Sequence, residues 1–151
     1  MYKGVIVSQQ FRRSGGFMGS QNPRILIVDD EPLIVKLLTQ HLEAEGFAVL
    51  TATDGREGLV KARTESPHLI LLDLILPKLN GYEVCTMLKQ DTRYQGIPIV
   101  MLTAKANEKD EQLGKTCGAD LYLHKPVQAQ ALLGHLRALL SFPEPSPPSQ
   151  P

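Results

Sequence analysis

The chain has 151 residues, in which 16 lysines and arginines are balanced by 16 aspartates and glutamates. A chain of this length forms about one domain and can bury a core without disulfides or metals. The balanced charge argues against direct nucleic-acid binding, which requires a basic surface, and no apolar stretch is long enough to cross a membrane. The two cysteines, Cys85 and Cys117, form no CxxC motif, so we expect reduced thiols in a cytoplasmic protein.

Both ends of the chain differ in composition from its middle. Residues 1–22 are rich in Gly, Ser and Gln and predict a mobile leader, whose apolar residues are too interrupted for a signal peptide. Residues 142–151 are dense in proline and predict a tail that forms neither helix nor central strand. The sequence therefore predicts one structured domain over 23–141.

Apolar runs alternate with helical patterns in the first half of this domain. The run over 24–30 ends in two adjacent acids. Apolar residues then recur at helical spacing from Leu33 to Leu42, and Gly46 is a typical helix stop. A strand over 47–53 and a helix over 56–65 follow.

The same alternation continues in the second half. The predicted elements are a strand over 68–73, a helix around 84–88, a strand over 97–103, a weakly helical segment over 104–116, a strand over 120–124 and a helix over 132–140. Strands alternating with helices predict an α/β fold, and near-continuous apolar strands favour a parallel sheet covered on both faces. Ligands of such folds bind beyond the carboxyl ends of the strands.

Polar side chains are concentrated at that edge of the predicted sheet: Asp29, Asp30, Asp73, Thr103 and Lys125. Each alone has an ordinary structural interpretation: Asp30 could cap the first helix, Asp73 could be a turn residue, and Lys125 could be a surface charge. Their joint placement at one edge favours a functional site instead.

The chemistry of these side chains suggests a role for each. Asp73 can attack the phosphorus of a phosphoryl donor. Mg²⁺ held by Asp30 and Asp73, with Asp29 as a further candidate ligand, can neutralise charge on the transferring oxygens. Lys125 can pair with a phosphoryl oxygen, and Thr103 can donate a hydrogen bond to the new phosphate.

Taken together, these residues resemble the receiver domain of bacterial two-component response regulators, in a stand-alone, chemotaxis-regulator-like form, from about Arg24 to Leu140. The motifs that carry the resemblance are Ile25–Glu31 (ILIVDDE), Leu71–Pro77 (LLDLILP), Asn80-Gly81, Thr103-Ala104, Gly118–Asp120 and Lys125-Pro126. The resemblance implies a flavodoxin-like, doubly wound sheet of five parallel strands in the order 2-1-3-4-5, with five helices.

The resemblance also implies a role for each matching residue. Asp73 would be the phosphoacceptor, Thr103 and Tyr122 the switch pair, and Lys125 the phosphate-pairing amine, joined to Pro126 by a cis peptide bond. Mg²⁺ would be held by the carboxylates of Asp29, Asp30 and Asp73 and by the backbone carbonyl of Ile75.

The implied partners are a sensor histidine kinase or phosphotransfer protein and an unknown downstream protein, with no direct nucleic-acid or membrane contact. The receiver would be a monomer or a phosphorylation-dependent dimer. It would catalyse only its own phosphorylation and dephosphorylation.

Two positions differ from better-known members of the family: Ile75, two residues beyond Asp73, and Lys105, two beyond Thr103. In the family these positions influence how fast the aspartyl phosphate hydrolyses. Because an apolar side chain cannot orient an attacking water, Ile75 predicts a long-lived phosphoryl state.

Two other functions fit the residues less well. A phosphohydrolase of the haloacid dehalogenase type needs a second acid where Ile75 stands, and a flavodoxin-like cofactor carrier needs a phosphate-binding loop where Asp29–Glu31 would repel phosphate. A degenerate receiver that acts without phosphorylation, and a receiver fragment of a longer regulator, remain alternatives.

Overall fold

The computed structural model describes residues 22–104 and 117–140. Its elements in these two stretches are β1 (Arg24–Val28), α1 (Pro32–Ala44), β2 (Ala48–Ala52), α2 (Gly55–Thr64), β3 (Leu69–Asp73), α3 (Gly81–Lys89), β4 (Ile99–Thr103), β5 (Leu121–His124) and α4 (Ala129–Leu139). The predicted leader and tail fall almost wholly outside the described residues. Lys105 and the rest of the weakly helical segment also lie outside the described residues, and one of the five predicted helices belongs to that segment.

The five described strands form one parallel sheet in the order β2-β1-β3-β4-β5. The predicted order 2-1-3-4-5 is therefore confirmed, and with it the doubly wound, flavodoxin-like α/β fold. The chain moves outward from β1 to β2 in one direction and from β3 to β5 in the other. The carboxyl ends of β1 and β3 thus flank the point where strand order reverses, which is where open α/β sheets bind ligands.

Alternate side chains of each strand enter two hydrophobic cores, one on each face of the sheet. Leu26 and Val28 of β1 pack into the core beneath α2 and α3, whereas Ile25 and Ile27 pack into the core beneath α1 and α4. All four side chains are fully buried. Burial on both faces explains why the strands read as continuous apolar runs rather than as an alternating pattern.

The predicted strands are longer than the strands in the structure, and hydrogen bonds in turns explain this for the starts of β2 and β4. Phe47 donates its backbone N–H to the carbonyl oxygen of Leu42 at 3.1 Å. This bond closes the turn that follows α1 and contains Gly46, whose φ is +95°. Ile97 likewise donates to the carbonyl oxygen of Tyr94 at 3.0 Å. Because these N–H groups are used by turns, β2 and β4 begin one and two residues later than predicted.

Local hydrogen bonds fix where the central helices begin. The Asp54 carboxylate accepts from the Glu57 N–H at 2.8 Å at the start of α2. Asn80 and Glu83 form a reciprocal capping box at the start of α3, with bonds of 3.0 and 2.9 Å. These caps set the ends of the loops that leave the carboxyl edge of the sheet.

Cys85 and Cys117 are buried and reduced, and the Cys85 Sγ lies 3.5 Å from the carbonyl oxygen of Cys117. None of the described helices combines the length and the apolar character that crossing a lipid bilayer would require.

Candidate functional site

The register of the sheet brings the predicted polar residues to one edge. Val28 pairs with Leu72, so Asp29 and Asp73 follow as neighbours at the carboxyl ends of β1 and β3. On the other side of β3, Thr103 ends β4, and its carbonyl oxygen accepts the backbone N–H of Lys125 at 2.7 Å. Four residues that are distant in sequence thus meet at adjacent strand ends.

Three carboxylates form a cluster at this edge. One oxygen from each of Asp29, Asp30 and Asp73 lies within 4.8 Å of the others. Asp29 and Asp73 are 1% and 7% exposed, whereas Asp30 faces solvent. Asp30 does not cap α1, because the cap position is Glu31. The cluster therefore combines two buried acids with one open to water.

The Lys125 amine connects the acids. Its Nζ lies 2.8 Å from an Asp29 oxygen and 3.3 Å from an Asp73 oxygen, and it also reaches Glu31 at 3.4 Å. The bond between Lys125 and Pro126 is cis, the form that the sequence resemblance implies. One ammonium group thus faces three carboxylates.

Burial and charge shift the pKa values of the two central groups. Burial raises the pKa of Asp73 to about 6, the Asp29 charge adds to the rise, and Lys125 opposes it. Burial alone would lower the pKa of Lys125, but its hydrogen bond to Asp29 and the charge of Asp73 raise it overall. At neutral pH the ionised form of Asp73 is therefore destabilised by its surroundings, and the Lys125 amine beside it is fully charged.

The donor set fits a hard divalent cation. Mg²⁺ takes oxygen ligands at about 2.0–2.1 Å and retains water, so opposite ligands lie about 4.2 Å apart. The spacing of up to 4.8 Å in the Asp29, Asp30 and Asp73 cluster is close to this, and the exposure of Asp30 leaves an open side for water. These three residues are the ones that would hold the ion.

Comparison with known proteins agrees with this geometry. Residues 25–137 match the response regulator receiver domain. Over 128 residues the chain is 48% identical to the alkaline phosphatase synthesis transcriptional regulatory protein PhoP of Bacillus subtilis, covering 85% of this chain and 52% of that protein. The chain belongs to the response regulator receiver family.

Other relatives support the assignment. The receiver is 46% identical over 118 residues to the DNA-binding dual master transcriptional regulator RpaA of Synechocystis, covering 78% of this chain and 49% of that protein. The chain thus spans about half the length of the curated relatives it matches.

Solved structures show the same architecture. A CheY-like response regulator receiver domain protein from Methanospirillum hungatei superposes with a TM-score of 0.76 at 34% identity, covering 80% of this chain and 95% of that one. The receiver domain of the sensor histidine kinase PA1611 from Pseudomonas aeruginosa superposes with a TM-score of 0.75 at 27% identity, covering 80% and 99%. That structure holds a magnesium ion in its active site cleft.

The remaining predicted site residues lie on the last three strands of the sheet or next to them. Ile75 follows β3 with its side chain 55% exposed, and Thr103 is 1% exposed. Tyr122 is partly buried on β5, packs against the core beneath α2 and α3, and meets the His124 ring edge-on at 5.6 Å between centroids.

Two residues at the site were not predicted from the sequence. Gly81 lies so close to β3 that an added Cβ would collide with the carbonyl oxygen of Asp73, and its N–H donates to the Leu74 oxygen at 2.9 Å. The signal that could have identified Gly81 is its position directly after the Asn80 cap. Glu31 reaches Lys125, and its signal is an acid just before a helix-starting proline at the site edge.

Proposed function

We propose that this receiver accepts a phosphoryl group on Asp73 from a phosphohistidine of a sensor histidine kinase or phosphotransfer protein, and that the transfer depends on Mg²⁺. The observation that carries the proposal is the contact between the buried Asp73 carboxylate and the Lys125 amine, 3.3 Å apart, within the three-acid cluster. A buried ionised nucleophile beside a fixed cation at a strand end is suited to phosphoryl transfer.

The reaction is a displacement at phosphorus. An Asp73 oxygen attacks, the bond from phosphorus to the donor histidine nitrogen breaks, and an aspartyl phosphate forms. Lys125, already beside Asp73, stays within reach of a phosphoryl oxygen and pairs with its charge. A magnesium ion bound to the acids would supply further positive charge for the transferring oxygens.

The same residues connect the phosphate to a surface. Thr103 ends β4 beside the end of β3, which supports a role for its hydroxyl as donor to a new phosphoryl group on Asp73. Tyr122 lies one strand further, on β5, opposite Met101 of β4. A shift of Thr103 towards the phosphate would alter the packing of Tyr122, and the altered face would bind a downstream protein or a second receiver.

The proposal concerns a receiver over residues 23–141 in the cytoplasm, a compartment that its two reduced cysteines fit. The relatives named above are transcriptional or DNA-binding regulators, and this chain aligns with about half of each. For the receiver itself we propose protein partners, because its charges balance at 16 against 16. That it acts as a stand-alone receiver stays a prediction.

Incubation with a small-molecule phosphodonor, with and without Mg²⁺, tests the proposal. We expect intact mass to increase by one phosphoryl group only when Mg²⁺ is present, and Asp73→Asn to abolish the increase. Asp91→Asn, a change in an acid outside the site, is the matched control and should label like the wild type. Absence of labelling, both with this donor and with a phosphorylated histidine kinase, would favour the degenerate receiver instead.

A further inference from the structure

Glu31 occupies the cap position of α1 without capping it. Its backbone is extended, as expected for an N-cap, but its side chain makes no cap hydrogen bond. The carboxylate reaches the Lys125 amine instead, at 3.4 Å. The Glu31 backbone N–H donates to an Asp29 oxygen at 2.9 Å. Glu31 therefore contacts the site through its backbone N–H and through its carboxylate.

The amine and a divalent cation require the same acids. Lys125 Nζ contacts Asp29 at 2.8 Å and Asp73 at 3.3 Å, and both carboxylates belong to the cluster that fits Mg²⁺. An oxygen that coordinates a cation has less electron density to offer an ammonium, and the two positive charges repel. Loading the site therefore requires Lys125 to give up part of its contact with the buried acids.

We propose that Glu31 is a positioning residue that acts through Lys125. When a divalent cation takes the Asp29 and Asp73 oxygens, the Glu31 carboxylate remains available to bind the amine. This inference rests on the proposed Mg²⁺ dependence. Only a short movement of Nζ is needed, because Glu31 already lies 3.4 Å away. At 60% side-chain exposure Glu31 stays largely hydrated, so it can take up the amine without a further burial cost.

The reach of the side chain is essential to this role. Aspartate at position 31 would keep the negative charge but is one methylene shorter, so its carboxylate would fall short of Lys125. Exposed ion pairs contribute about 0.2–1 kcal/mol, which corresponds to an effect on Mg²⁺ affinity of up to about fivefold.

Calorimetric titration of the full chain with Mg²⁺ tests the inference. Glu31→Gln and Glu31→Asp should both raise the Kd for Mg²⁺ about two- to fivefold. Glu43→Gln, which changes an exposed glutamate near the other end of the same helix, should leave the Kd unchanged. A Kd of wild-type size in Glu31→Asp would show that charge alone matters and would overturn the positioning role.

A double-mutant cycle with Lys125→Met separates action through the amine from direct attraction between Glu31 and the ion. We expect the effect of Glu31→Gln to disappear when Lys125 is absent. An equal effect in both backgrounds, or none in the wild-type background, would contradict the inference while leaving the proposed function intact. Failure of the wild type to bind Mg²⁺ would overturn both the proposed metal site and this inference.

Discussion

At the residue scale, the charge on Asp73 opposes folding. Burial raises its pKa from an ordinary 3.8 to about 6, so the folded chain binds a proton more tightly there than the unfolded chain does. Stability from this group is therefore highest at low pH and falls as the pH rises from about 4 through about 6. Above that range Asp73 is ionised in the folded protein, because the other interactions that stabilise the fold outweigh the cost of this buried charge.

Replacing Asp73 by asparagine should therefore stabilise the metal-free protein. Asparagine resembles the protonated acid, so we expect Asp73→Asn to raise the free energy of unfolding by about 1–3 kcal/mol at pH 8, with the gain shrinking towards zero near pH 4. Urea unfolding in the presence of a chelator measures this. A loss of stability at pH 8 would contradict the assigned pKa shift.

We predict that Ile75 controls a second property at this scale, the lifetime of the phosphoryl group. This apolar residue is 55% exposed two positions beyond the end of β3, where a polar side chain could orient an attacking water. Ile75→Asn should accelerate hydrolysis of the aspartyl phosphate by roughly tenfold, equivalent to about 1.4 kcal/mol in activation free energy. The rate of mass loss after removal of the donor measures this, and an unchanged rate would rule out the proposed role.

The sequence predicted which residues reach this edge but not their energetics. Asp29, Asp73 and Lys125 could be placed there because each ends or follows a buried apolar run. The raised pKa of Asp73 depends first on its burial and then on its closeness to Asp29. Both are set by the packed sheet and neither is visible in the sequence. Glu31 was not identified as a site residue, because an acid just before Pro32 fits the start of a helix as well as it fits a site.

At the element scale, the β3–α3 connection holds the site strand in place. Gly81 begins α3 against the carbonyl oxygen of Asp73, leaving no room for a side chain. The sequence analysis identified Asn80-Gly81 only as a motif of the family resemblance, because the contact with β3 arises only when the loop folds back over the sheet. The same holds for the starts of β2 and β4, which are set by turn hydrogen bonds rather than by apolar patterning.

Gly81→Ala should be strongly destabilising. The added methyl group must displace backbone, so we expect a loss of about 2 kcal/mol or more, together with slower phosphorylation of Asp73 as β3 shifts. Gly134→Ala is the matched control: Gly134 lies inside α4 with open space around it, so alanine should stabilise by about 0.5–1 kcal/mol. Equal stability of the two variants would show that the close approach at Gly81 is not required.

At the scale of the whole molecule, a chain without net charge places a cluster of acids at one edge of its sheet. The net charge is +0, yet the acid cluster sets three carboxylates against one amine. A cation that binds the folded chain and not the unfolded one stabilises the fold by mass action. The site is thus linked to the stability of the entire domain.

Mg²⁺ should therefore raise the thermal midpoint of the wild type. At about a hundredfold excess over Kd the stabilisation is about 2.7 kcal/mol, and Asp29→Asn should lose most of it because a buried ligand is removed. Asp91→Asn should keep the full shift. Differential scanning calorimetry measures the three proteins, and an equal shift in all of them would mean that the ion binds elsewhere.

Locating the phosphoryl group within the chain tests the central claim most directly. After phosphorylation in Mg²⁺, reduction with borohydride converts an aspartyl phosphate to homoserine, which peptide sequencing by mass spectrometry can place. We predict homoserine at position 73 and at no other aspartate, and none in Asp73→Asn. Homoserine at Asp29 or Asp30 instead, or an undiminished yield from the variant, would contradict the assignment of Asp73 as the phosphoacceptor.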